Sequence, residues 1–310
     1  MGIRVGVWIG SIAIIYAGVY FVFFSDKALV HLPIRTVLDP DVYHIPASPY
    51  YRGLNLVFFS DGYLSWKEFD HDIDIVVQGL HSIEPWKSYD RYNIYRVFPK
   101  EVGICSVVTE NERKPVLRCA SDKVNEYLNR LVLSNNFKFI VLSRRDFQSW
   151  ANVVRYADSG IFMSVPQSPK DTLEEQALGI QFLHLFGHAF GLKDEELYIV
   201  AKADSAVMIP DGPNCAPDKK TAERWWGSLV LTDQRVGYYL GCSGKEEYIR
   251  PTEHSLMNLG NFSTADIDYG PVSERYLRQM LTYCFSDTTA KRSADPGFFD
   301  QYPSFQSCVR

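Results

Sequence analysis

Apolar and polar positions along this chain fall into three textures. The first is an uninterrupted apolar run, Val5 to Phe24, 20 residues without a charge. A helix rises about 1.5 Å per residue, so such a run spans roughly 30 Å, one bilayer core. The pattern predicts a transmembrane helix over 5–24 behind a short cytoplasmic tail, residues 1–4. Arg4 precedes the run, which places the N-terminus inside and the bulk of the chain outside, periplasmic or extracellular. A cleaved signal peptide is the competing reading. Its apolar region would be shorter, and no small-x-small cleavage site follows Phe24. Residues 25–52 carry Pro33, Pro40, Pro46 and Pro49 and show no helical period, so a stalk is expected there, with the folded domain over 53–310.

The second texture, from Gly53 to about Gly191, alternates short apolar runs with segments of helical period. Leu54–Ser60 ends at Asp61-Gly62 and reads as a buried strand followed by a turn. Ser65 with Glu68 has the capping-box spacing for a helix reaching Leu80. Strands are expected at 92–98, 137–142 and 160–165, and a helix at 121–133. A central helix starts at Asp171 or Thr172, carries Glu174 and Glu175 in its first turn, and stops at Gly191. Strands alternating with helices predict an α/β layer with a mixed sheet. The third texture, 204–270, is rich in Gly, Pro, Asp and Cys, with few long periodic segments. It reads as a loop-rich half with a few helices, closed by a helix at 273–284.

Composition changes this picture in two places. The net charge of −5 gives no reason to expect a nucleic-acid partner. Six cysteines, Cys105, Cys119, Cys215, Cys242, Cys284 and Cys308, lie beyond the apolar run without any C-x-x-C pair. That pattern argues for disulfides in an oxidising compartment rather than a zinc ribbon. Sequential pairing, 105–119, 215–242 and 284–308, closes the shortest loops and is the expected arrangement. Asn261-Phe262-Ser263 fits a glycosylation sequon, which has meaning only in a eukaryotic secretory pathway. Trp225 and Trp226 are expected in the core.

The candidate chemistry lies on the central helix. His184 and His188 are four residues apart, so both rings project from one helix face. Two imidazoles so placed can share one zinc ion at about 2.0–2.1 Å each. A His pair alone is weak evidence. Here Gly191 lets the chain reverse, and Asp194 follows close enough to return a carboxylate as third ligand. The other histidines, His31, His44, His71, His81 and His254, show no ligand spacing.

The stretch from His184 to Glu195 resembles the H-E-x-G-H-x-x-G-x-x-D-E signature of the IgA-peptidase family of zinc metallopeptidases, peptidase family M64. Matching order extends the resemblance over residues 53–285. Asn55–Tyr63 resembles the family's first strand and turn. Pro213-Asn214-Cys215 with Trp225-Trp226, then Tyr248–Met257, then Gly270–Glu274, resemble later segments. The resemblance implies a zincin-like metallopeptidase fold, metal ligands His184, His188 and Asp194, zinc as cofactor, and Met257 as the packing residue under the metal. On its own, Met257 reads as core.

One departure is chemical. Where the family has glutamate after the first histidine, this chain has Leu185. That carboxylate takes a proton from the zinc-bound water and passes it to the leaving amine. Leucine does neither, and loss of a general acid–base group costs about a hundred- to ten-thousandfold in rate. Glu195, beside the third ligand, is a candidate displaced base, although a supporting role suits it better. Glu174 and Glu175 are roughly 13 Å or more from His184 along the helix and cannot reach the water. A second departure is Glu196, where the family tends to have tyrosine. The expectation is therefore a membrane-anchored pseudopeptidase that holds zinc and binds a peptide or protein ligand. The alternatives are an active zinc metalloendopeptidase using Glu195, and a metal-free adhesion or scaffold domain.

Overall fold

In a computed structural model the described residues are 42–45, 53–109, 114–131, 137–151, 160–195, 212–258, 267–285 and 298. All lie within the unit Val37–Arg310. The expected membrane helix over 5–24, most of the stalk, Glu196, the Asn261 sequon and Cys308 fall outside them. No helix among the described residues is long and apolar enough to cross a membrane.

The centre is a six-stranded sheet. Its strands are β1 (Val42–Ile45), β2 (Leu54–Asp61), β3 (Tyr92–Val97), β6 (Phe137–Ser143), β7 (Trp150–Ala151) and β8 (Ile161–Ser164), in the order β1-β3-β2-β6-β8-β7. The inner four run parallel, and β1 and β7 are antiparallel edges. All eight residues of β2 are buried, as a parallel strand covered on both faces requires. Strand alternation divides its side chains between two cores. Leu54, Leu56 and Phe58 join one apolar cluster, and Val57 and Phe59 the other. Ile140 and Leu142 of β6 follow the first, Phe139 and Val141 the second.

β1 is an edge strand of this sheet. It lies inside the expected stalk, yet pairs with β3 from Val42↔Val97 to Ile45↔Ile94. Proline cannot donate to a ladder, so prolines belong beside an edge strand, and Pro40 and Pro46 flank this one.

The first core is covered by α1 (Trp66–Leu80) and α3 (Thr172–Ala189). Ser65 caps α1 by accepting from the Glu68 amide at 3.3 Å. The two helices meet at glycines: a Cβ on Gly79 would stand 3.1 Å from Gly179 Cα. The second core is covered by α2 (Ser121–Arg130) and the hairpin β4 (Cys105–Val108) and β5 (Val116–Cys119). A disulfide joins Cys105 to Cys119 across that hairpin.

The C-terminal half holds more regular structure than its composition predicts. It contains α4 (Lys219–Val230), the hairpin β9 (Tyr239–Cys242) and β10 (Lys245–Arg250), and α5 (Gly270–Phe285). Asp218 caps α4 through the Thr221 amide at 2.7 Å. Trp225 and Trp226 are buried, and Trp226 Nε1 donates to Gly237 O at 3.1 Å. A second disulfide joins Cys215 to Cys242, and Cys284 is disulfide-bonded.

Candidate metal centre

Helix α3 begins where the sequence requires. The Asp171 carboxylate accepts from the amides of Leu173 and Glu174 at 3.0 Å each. Its C-terminal half, Phe182 to Gly187, is buried throughout, so the helix is central rather than amphipathic. It stops at Gly191, whose φ of 96° is a left-handed value glycine adopts without strain. The half-buried Lys138 of β6 donates from Nζ to Ala189 O at 2.6 Å, placing a cation at the helix C-terminus. Burial pushes its ammonium pKa down to about 8.

The reversal at Gly191 brings Asp194 back to the two histidines. Asp194 Oδ1 lies 3.1 Å from His184 Nε2 and 3.1 Å from His188 Nε2. The two Nε2 atoms are 3.0 Å apart. Each ring is oriented from behind. His184 Nδ1 is 3.0 Å from Leu256 O, and His188 Nδ1 is 2.9 Å from Leu192 O. A carbonyl accepts only, so each Nδ1 carries the proton and each Nε2 presents a lone pair.

Three acceptors therefore converge, a donor set that needs a proton on one ring or a cation between them. Tetrahedral ligands at about 2.0–2.1 Å from zinc stand about 3.3 Å from one another. The observed separations of 3.0–3.1 Å are close to that spacing, and the trio has the form of a metal-binding group. Burial raises the Asp194 carboxyl pKa. When the rings of His184 and His188 carry a proton at Nε2 as well, their hydrogen bonds and charges outweigh that effect and hold it well below the usual carboxylate range. Asp194 keeps 32% of its side chain exposed, so the site opens to solvent on its side.

The remaining sequence-predicted residues take distinct places. Leu185 is buried in the first core, and no carboxylate stands at its position. Met257 is fully buried against α3: a Cβ on Gly187 would approach its Sδ to 2.8 Å. A side chain at 187 would require Met257 and Tyr269 to shift.

Glu195 is fully buried and its carboxylate is committed. Oε1 accepts from Asn214 Nδ2 at 2.9 Å, and Oε2 accepts from Thr252 Oγ1 at 3.0 Å and Ser255 Oγ at 2.8 Å. Burial pushes its pKa up to about 7, against the lowering effect of those three hydrogen bonds. The amide of Glu195 donates to Met257 O at 2.7 Å. Glu195 thus ties the segment after α3 to the 252–257 turn, whose Leu256 carbonyl orients His184. His254 is exposed and takes no part in the trio.

Sequence reasoning missed the carbonyls of Leu192 and Leu256, because every residue carries one and only the fold selects which is used. It also missed the role of Asn214, whose side chain brackets Lys193 by accepting from its amide at 2.9 Å and donating to its carbonyl at 2.8 Å. The Pro213-Asn214-Cys215 segment was the available signal. Compared with known proteins, the chain matches no family model and no curated sequence.

Proposed function

We propose that this chain is a membrane-anchored, extracytoplasmic pseudopeptidase of the zincin kind, which holds zinc and binds a peptide or protein without efficient hydrolysis. The observation that carries this reading is the convergence of His184, His188 and Asp194 beside a leucine. Zinc, when bound, acts as a Lewis acid and lowers the pKa of its water toward about 7. The residues of the chain hold the ion but provide little for proton transfer. Leu185 has no proton to give or take. Glu195 is buried and already accepts three hydrogen bonds, so its geometry lends no support to a displaced base. The M64 resemblance over residues 53–285 supports the zincin reading. The disulfides and the N-terminal apolar run support an oxidising, extracytoplasmic location.

The test is zinc content and peptidase activity of the purified full-length chain. One equivalent of zinc, lost in His188→Ala, is expected, together with negligible cleavage of a peptide library. Chelator-sensitive cleavage at rates typical of a peptidase would sink the pseudopeptidase reading. Absence of zinc would favour a metal-free scaffold. Leu185→Glu is expected to gain hydrolysis.

A further inference from the structure

The chain at Lys193, Asp194 and Glu195 is held from two sides, and both holds adjoin a cysteine. Asp194 O accepts the Ser243 amide at 2.8 Å, and Ser243 follows Cys242 in a left-handed conformation with φ 55°. On the other side Asn214, next to Cys215, binds both the amide and the carbonyl of Lys193 and the carboxylate of Glu195. The sulfurs themselves lie against the ligand residue, Cys242 Sγ at 3.4 Å and Cys215 Sγ at 3.7 Å from Asp194 O. The two holds come from segments whose cysteines are 27 residues apart, and the Cys215–Cys242 bond ties them together beside the backbone pair of Ala216 with Ile249. His184 and His188 need no such aid, because a buried helix sets their spacing. The disulfide therefore bears on one ligand of the three.

We propose that closure of the Cys215–Cys242 bond gates metal loading: the site becomes a high-affinity site only once this disulfide has formed. The inference rests on the reading of His184, His188 and Asp194 as metal ligands and adds how that site is regulated. Closure removes two protons and two electrons from the thiols. A disulfide-class oxidant takes them up and leaves as a dithiol. Before closure, the Asn214 and Ser243 anchors are linked less tightly, through the Ala216–Ile249 backbone pair and the β9–β10 hairpin, and Asp194 spends less time beside the histidines. Linkage makes the effect reciprocal, so bound metal protects the disulfide by the factor by which the disulfide tightens the metal. Both sulfurs are fully buried, and a reductant reaches them only when this region opens.

Two measurements on the full-length chain test this, with zinc alone as the probe. In the first, Cys215→Ala/Cys242→Ala competes for zinc against a chromophoric chelator. Affinity about 10–100-fold weaker than wild type is expected, the usual range for loss of residues that orient ligands. Cys105→Ala/Cys119→Ala should bind zinc like wild type. In the second, wild type is reduced with a phosphine, and the freed thiols are alkylated and mapped by mass. The phosphine is oxidised to its oxide with oxygen from water, and the S–S bond is reduced to two thiols. Cys215–Cys242 is expected to reduce more slowly with zinc than with chelator, whereas Cys105–Cys119 reduces at one rate in both. A folded double variant with unchanged affinity overturns the proposal. If that variant does not fold, equal reduction rates with and without zinc overturn it. Failure of wild type to bind zinc removes the metal reading and this inference together. Zinc that is lost in His188→Ala but kept in the double variant removes this inference alone.

Discussion

The parallel-sheet region and the region after Gly191 are held together by different means. The sheet and its helices rest on apolar burial: β2 and β6 feed two cores, and rings such as Phe58, Phe182 and Phe186 pack in sequence across the β2–α3 contact. The later region rests on particular ties. One carboxylate gathers Asn214, Thr252 and Ser255, and one disulfide joins the segment before α4 to the end of β9. Burial is non-directional and tolerates rearrangement, whereas a hydrogen-bonded carboxylate fixes positions but fails abruptly when one partner goes. The candidate metal centre lies on the seam, with two ligands from the first kind of structure and one from the second.

Four substitutions probe that contrast. Phe182→Ala removes a fully buried ring between Phe58 and Phe186. It should cost about 3–5 kcal/mol in urea unfolding and weaken the whole unit together. Glu195→Ala should cost about 2–3 kcal/mol. Its signature is regional, with faster amide exchange at 193–195 and 212–258 and little change in β2 and β6. Uniform exchange across both regions would show that the contrast is not real. Gly187→Ala sets a methyl 2.8 Å from Met257 Sδ and 2.9 Å from Tyr269 Cε1. A loss of about 1–3 kcal/mol is expected, and zinc affinity should fall with it. Lys138→Met removes the cation from the α3 C-terminus and should cost about 1 kcal/mol. A change in melting temperature with zinc stoichiometry preserved is the expected result.

The same contrast explains what was legible in the sequence. The strands at 54–61, 137–143 and 161–164 are largely apolar because both faces are covered, and that leaves a strong one-dimensional trace. The His184, His188, Gly191 and Asp194 spacing was legible because helix geometry and one chain reversal act locally. β1 hid between prolines, and the hairpins β4–β5 and β9–β10 are too short and polar to show a period. α4 carries only three buried residues, Ala222, Trp225 and Trp226, too few for a clear helical stripe. Glu195 looked available for chemistry because its partners are 19, 57 and 60 residues away. Sequence distance conceals such a tie completely.

The contact of Gly79 with Gly179 has a mechanical consequence. Helix α3 is a stiff rod, and the place where α1 touches it lies upstream of both histidines. A methyl at Gly79 would meet the Gly179 backbone at 3.1 Å and press on the rod from the side. The rod would shift as one piece, so His184 and His188 would keep their mutual spacing. Asp194, suspended from the other region, would stay behind. Any gap that opens would lie between the pair and the third member, so the glycine crossing bears on the centre's geometry as well as on how the two helices fit.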